Sequence, residues 1–208
     1  MPGVSSLQCP ATLIVARHGD AEFLDKEFSD EGGTLSTEGR AQATRLADEV
    51  RDRRIAHVWC SDVARAVQTA EIVACRLGTG VTTRKALREI DVGDLHGQPF
   101  SIPAICAVTD HWFEGELDVA FPGGESGADV VARYAEAFTE IADVHRGETV
   151  VVVTHQTASC IALPSLTGNV SPSFADRHRL DNGESAELVI DGDDWALTRW
   201  GDFRASQL

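Results

Sequence analysis

The chain has 208 residues, 43% hydrophobic and 25% charged, which is ordinary for a globular protein with a sizeable core. Its formal net charge of −15 argues against nucleic acids and anionic membrane surfaces, which need basic patches, and makes any anion site a local positive hole in a negative surface. The first ten residues lack the basic start of a secretory signal, the apolar runs are too short for a bilayer, and five widely spaced cysteines form no Cys-x-x-Cys pair, so free thiols in a reducing cytoplasm are expected.

A single domain over 1–208 is expected, with residues 98–121 as a small cap; no repeat or linker interrupts the chain. Residues 12–20 read TLIVARHGD. Leu13, Ile14, Val15 and Ala16 form the continuous apolar run of a strand buried on both faces, and it ends abruptly at Arg17-His18-Gly19-Asp20. Open α/β sheets bind ligands beyond the carboxyl ends of their strands. A cation and an imidazole there are placed to work on an anion. Residues 20–34 read as a polar loop. Ser36 or Thr37 can cap a helix running to about residue 53, with Ala43, Leu46, Ala47 and Val50 on its buried face.

Residues 55–60 read as a second strand, followed by Ser61 and Asp62, with Asp62 a good N-cap. The next helix carries Val63, Ala66, Val67, Ala70, Val73, Ala74 and Leu77 on one stripe, and Gly78 ends it. Arg65 lies off that stripe, pointing outward from a helix start that itself attracts anions. Residues 81–84 suggest a third strand. An irregular stretch, 86–97, holds Glu89, Asp91 and Asp94. The 98–121 segment contains a short helix near 104–114, and residues 122–126 form a Gly-rich turn. A long amphipathic helix follows, presenting Val130, Tyr134, Ala137, Phe138, Ile141 and Val144. Residues 149–154 are a second continuous apolar strand, and His155 follows at once. If the two strands run parallel in one sheet, His18 and His155 emerge on the same edge. A helix to about Leu166 comes next, then a hairpin of strands near 184–190 and 195–200. This order predicts a three-layer α/β/α sandwich with a mostly parallel central sheet and an antiparallel edge.

Five blocks then stand in order: Arg17-His18-Gly19, Ser61-x-x-x-Arg65-Ala66-x-Gln68-Thr69-Ala70, Leu87-x-Glu89-x-x-x-Gly93-x-x-x-Gly97, Gly123-Gly124-Glu125-Ser126 and Val153-Thr154-His155. Together they resemble the histidine phosphatase superfamily, the phosphoglycerate mutase-like family, over roughly residues 13–166. The resemblance implies that His18 is a nucleophile forming a phosphohistidine. It implies that Arg17, Arg65 and His155 surround the phosphoryl oxygens, and that Glu89 protonates the leaving oxygen; Asp91, two residues on, is the alternative carboxylate. Gly19, Asp20, Phe23, Leu24, Ser61 and Gln156 are the expected substrate contacts. Phosphoryl transfer needs positioning and charge neutralisation, which two guanidiniums supply. Like charge from a phosphate dianion favours a protonated carboxyl beside it, so an acid-to-neutral optimum is expected.

Asp20 and Leu24 stand where many members carry Glu or Gln and Asn, and Gln156 follows the second histidine where Gly is common. The short 98–121 segment favours hydrolysis of a small phosphorylated metabolite over mutase chemistry. A protein phosphohistidine phosphatase and an inactive phospho-ligand binding module are the other readings. No cofactor, metal, nucleic acid or membrane is expected, and a homodimer is left open. His57, His96, His111, His145 and His178 read as surface or capping residues, and Asp191, Asp193 and Asp194 as a hairpin turn.

Overall fold

The computed structural model describes residues 9–23, 26–29 and 32–207; Leu24, expected at the substrate, lies outside the described residues. In chain order the elements are β1 (Ala11–Arg17), β2 (Ala21–Glu22), β3 (Thr34–Leu35), α1 (Thr37–Val50), β4 (Ile55–Cys60), α2 (Ala64–Leu77), β5 (Val81–Thr83), α3 (Ile102–Phe113), α4 (Gly127–Val144), β6 (Thr149–Thr154), α5 (Gln156–Thr167), α6 (Pro172–Arg177), β7 (Ser185–Asp191), β8 (Asp194–Trp200) and β9 (Phe203–Arg204). Seven strands form one sheet in the order β5-β4-β6-β1-β7-β8-β9. The first four run parallel, and β7, β8 and β9 continue antiparallel from β1.

The apolar runs of β1 and β6 lie side by side at the centre, covered on both faces as their composition requires. Leu13, Val15, Val150 and Val152 point into the larger core with residues of α4 and α5. Ile14, Ala16, Val151 and Val153 point into the core shared with α1 and α2. The register pairs Leu13 with Val150 and Arg17 with Thr154, so both strands finish level. This places His18 and His155 next to each other at one sheet edge.

Ser36 caps α1, its hydroxyl accepting the Gly39 N–H at 3.0 Å, and Gly78 closes α2 in the left-handed region at φ 71°. Asp62 does not cap α2. Val63 occupies that position without a side-chain bond, because the Asp62 carboxylate pairs with Arg88 at 2.6 and 3.0 Å instead. Ser126 and Asp129 form a capping box at the start of α4. His145 caps the far end of that helix and accepts the Trp59 indole N–H at 3.0 Å.

The loop over 20–34 carries a short β2–β3 ribbon that its polar sequence does not signal. The 98–121 segment pairs with residues 26–28, through Phe28 N–H to Gln98 O at 2.9 Å and Phe100 N–H to Lys26 O at 2.8 Å. Its helix, α3, buries Trp112 completely, in edge-to-face contact with Phe121. All five cysteines are free. Among the described residues no helix is long and apolar enough to cross a membrane.

Candidate active site at the strand edge

Where β1 ends, the His18 N–H still donates to Thr154 O at 3.0 Å, extending the parallel ladder by one residue. The His18 ring is 8% exposed. Its Nδ1 lies 2.7 Å from the Gly19 carbonyl oxygen, which can only accept. Nδ1 therefore carries the proton and Nε2 the lone pair. Arg65 Nε–H donates to that Nε2 at 3.2 Å. Burial, and after it the Arg65 charge, lowers His18 from 6.5 to about 3, so the ring is neutral.

Gly19 cannot be any other residue without movement: a Cβ there would lie 2.4 Å from the Gly39 carbonyl oxygen in the first turn of α1. Its N–H donates to Thr69 Oγ1 at 3.0 Å, and the same hydroxyl donates to Arg65 O at 2.8 Å. One threonine of α2 thus ties the His18 turn to the Arg65 turn. Gln68 Oε1 accepts the Leu35 N–H at 2.8 Å, fastening β3 to the same helix.

Arg65 leaves the helix start as expected, but it is only 6% exposed and is folded into the strand edge rather than into solvent. Its Nη1 donates to Gly32 O at 2.7 Å, and Phe23 lies over it with the ring centroid 5.5 Å from the guanidinium carbon. Its Nη2 is 3.4 Å from Nδ1 of the fully buried His155. A guanidinium only donates, so His155 Nδ1 accepts and Nε2 carries the N–H. Burial, then the charges of Arg65 and the neighbouring ring, hold His155 well below the ordinary imidazole value. The two rings stand edge to face, centroids 5.1 Å apart.

Arg17, at the end of β1, donates through Nη1 to Leu180 O at 3.1 Å. Burial lowers its pKa below the ordinary guanidinium value, with Glu89 and Asp181 opposing, and it remains a cation. Arg17 Nε and His155 Nε2 are both buried without a hydrogen-bond partner among the described residues. Two orphaned donors beside a neutral imidazole are unusual, because an unpaired buried polar group is costly.

Glu89 sits in an irregular stretch, yet its carboxylate is firmly held. Oε2 accepts the Thr157 N–H at 3.1 Å, and Oε1 accepts the Ala158 N–H at 2.8 Å and the Ile90 N–H at 3.1 Å. It rests on the positive start of α5, the helix that His155 begins. Asp91, the alternative, turns to the Gly93 N–H and the His96 ring, both at 2.9 Å. Thr154 Oγ1 donates to Leu87 O at 3.0 Å and meets the Tyr134 hydroxyl, fixing the start of the Glu89 stretch.

The strand edge thus brings Arg17, His18, Arg65, His155 and Glu89 together. The expected substrate contacts divide. Phe23 covers Arg65 and is half exposed. Gln156 Nε2 donates to Leu180 O at 3.1 Å, the same carbonyl that Arg17 uses. The Asp20 carboxylate accepts the hydroxyl of Ser36, the capping residue of α1, at 2.6 Å through Oδ2. Ser61 is completely buried, its hydroxyl facing the Val63 N–H at 3.5 Å. Asn182 was not foreseen. Its side-chain amide donates to the His18 carbonyl at 2.9 Å, and the Gly183 N–H donates to Arg17 O at 3.1 Å. The only sequence signal there is the turn tripeptide Asp181-Asn182-Gly183.

The sequence pattern of the histidine phosphatase superfamily (branch 1) matches residues 13–203. Phosphoglycerate mutase-like protein 4 of Arabidopsis thaliana is 31% identical over 207 residues, covering 92% of this chain and 85% of that protein. Among solved structures, a mycobacterial glucosyl-3-phosphoglycerate phosphatase superposes with a TM-score of 0.76 at 25% identity, over 92% of this chain and 99% of the other. YhfR of Bacillus stearothermophilus does so with a TM-score of 0.75 at 26% identity, over 94% and 98%.

Proposed function

The chain belongs to the histidine phosphatase superfamily, and on that premise we propose that it is a metal-independent phosphomonoester hydrolase acting on a small phosphorylated metabolite through a phosphohistidine. The observation that carries this reading is the pair of orphaned buried donors, Arg17 Nε and His155 Nε2, beside the neutral ring of His18. A phosphoryl group supplies the acceptors those donors lack, and the His18 Nε2 lone pair is the nucleophile such a group meets.

In the proposed reaction, the Arg65 Nε–H keeps its proton but redirects its hydrogen bond from His18 Nε2 to a phosphoryl oxygen, which frees the lone pair. Glu89 enters the step as a carboxylic acid; His18 Nε2 bonds to phosphorus as the ester P–O bond breaks, and the Glu89 proton passes to the departing oxygen, leaving the carboxylate. Arg17, Arg65 and His155 hold the three equatorial oxygens throughout. Water then attacks the phosphohistidine, Glu89 takes a proton from it, and inorganic phosphate leaves with His18 restored. Gly19 keeps the His18 turn close to α1, while Phe23 and Gln156 line the approach. The His18 Nδ1–H bond to the Gly19 carbonyl supports the ring as positive charge develops on it.

Hydrolysis is preferred to phosphate transfer between positions of one acid because the 98–121 segment is short and helps build the core through Trp112. The likeness to a solved phosphatase over nearly the whole chain points the same way. The deciding experiment is a phosphate-release screen over a metabolite panel with EDTA present, run beside His18→Ala and with or without a bisphosphate primer. Acid-labile phosphate on His18 is expected in the wild type. Activity that survives His18→Ala, needs added metal, or depends on the primer would overturn the reading.

A further inference from the structure

Arg133 belongs to none of the strand-end groups, yet five hydrogen bonds converge on it. From α4 its Nη1 donates to the carbonyls of Ala86 and Arg88 at 2.7 and 2.8 Å, and its Nη2 to the carbonyl of Glu89 at 3.1 Å. Glu125 grips the same guanidinium from the other side, Oε1 to Nε at 2.7 Å and Oε2 to Nη2 at 3.0 Å. That Oε2 also accepts the Asp91 N–H at 3.0 Å, and the Glu125 N–H donates to Asp91 O at 3.0 Å. Both side chains are largely shielded, at 18% and 21% exposure.

The pair therefore brackets Glu89 from both directions along the chain: carbonyls at 86, 88 and 89 on one side, the amide of 91 on the other. Residues 88–92 contain no helix or strand, so they are fixed by side-chain contacts: Tyr134 on the Leu87 and Arg88 carbonyls, the α5 N–H groups on the Glu89 carboxyl, and Arg133 with Glu125 on the backbone at both sides of Glu89. A planar guanidinium with five N–H groups suits this task, because one rigid group sets several carbonyls at fixed angles. An ammonium could not reach them together.

We propose that Arg133, clamped by Glu125, is the positioning residue for Glu89, setting the distance of its carboxyl group from the leaving oxygen. This rests on the reading of Glu89 as the general acid. In the step concerned, the His18 Nε2–P bond forms and the ester P–O bond breaks. The Glu89 proton passes to the departing oxygen, so a neutral alcohol leaves and a carboxylate remains. Arg133 touches no reacting atom. Its effect is confined to how well that proton is delivered.

Proton delivery matters most when the leaving group is basic, so the test is the dependence of kcat/KM on the leaving group. Hydrolysis of p-nitrophenyl, phenyl and simple alkyl phosphates is compared for the wild type, Arg133→Gln, Glu89→Gln and the double variant. Arg133→Gln is expected to lose about 3-fold on p-nitrophenyl phosphate and about 100-fold on the alkyl ester, within the range of a general-acid contribution. In the Glu89→Gln background the added Arg133→Gln change is expected to leave the steep dependence as it is. Arg133→Lys keeps the charge but reaches fewer carbonyls, and falls between. An equal loss on every substrate, with Glu89→Gln steep, reduces Arg133 to a structural residue and overturns the proposal. A flat response in Glu89→Gln itself removes the general-acid reading, and the positioning role falls with it. Should Arg133→Gln not fold, Glu125→Gln carries the same comparison: steepening supports the clamp, and a flat loss rejects it.

Discussion

Replacing His18 by glutamine removes a ring whose neutrality makes stability depend on pH. Burial and the Arg65 charge lower this imidazole from 6.5 to about 3 in the fold. In the unfolded chain it titrates near its ordinary value. Between the two values the unfolded state binds a proton that the folded state refuses. Stability is therefore untouched above about pH 7, falls as pH drops through about 6.5, and stops falling below about pH 3. At about pH 5 the linkage comes to about 2 kcal/mol for this ring alone. Urea unfolding, followed by tryptophan fluorescence at pH 8 and at pH 5, measures it. The wild type is expected to lose about 2 kcal/mol more than His18→Gln over that interval. Carboxylates and His155 titrate in both proteins and largely cancel. Losses that agree within about 0.5 kcal/mol would show that the folded ring accepts a proton freely, and the neutral-nucleophile argument would fail.

Three further outcomes are expected. Gly19→Ala sets a Cβ 2.4 Å from a backbone oxygen of α1, and should destabilise the protein by about 1–3 kcal/mol as well as displace His18; an unchanged melting temperature would contradict the close packing. Asn182→Ala removes the amide that holds the His18 carbonyl, so kcat should fall about 5-fold with KM nearly constant, as expected when a bond worth about 1 kcal/mol is lost from nucleophile placement. A rise in KM alone would assign Asn182 to substrate binding instead. Tyr134→Phe leaves the Thr154 and Leu87 oxygens without their buried hydroxyl partner, and should cost about 1–2 kcal/mol in chemical denaturation; full stability would mean that the Thr154 hydroxyl alone satisfies them.

The parts of this molecule that the sequence made legible are those set by periodicity over several residues. Leu13–Ala16 and Val150–Val153 are apolar without interruption, which only a strand covered on both faces explains. A shared direction, which the sequence could pose only as a condition and the sheet supplies, puts His18 beside His155. The stripe of α2 follows from spacing alone, and spacing narrows the α1 cap to Ser36 or Thr37, of which the structure uses Ser36. What stayed hidden depends on partners distant in the chain. Asn182 meets His18 across 164 positions, and a turn tripeptide carries no sign of that. Asp62 had the chemistry of a cap, but Arg88, brought alongside by β5 and the following turn, competes for its carboxylate and wins. The segments β2, β3 and β9 are two residues long, too short for any alternation to register.

The same charges do two jobs at this edge, and the two are coupled. In a chain of net charge −15, Arg17 and Arg65 form a local positive site that could draw in a dianion only at short range. Burial, and after it the Arg65 charge, keeps both imidazoles neutral, with their protons fixed by Gly19 O on one ring and by Arg65 on the other. In the proposed reaction an arriving phosphoryl group draws the guanidinium to itself and cancels the Arg65 part of that effect. On that reading the His18 lone pair is released and made more basic by one event, the arrival of the group it attacks. A neutral isostere in place of Arg65, such as Met, would break both functions at once. A protein that merely needed a basic patch could place such arginines in solvent, whereas this one buries Arg65 between two rings.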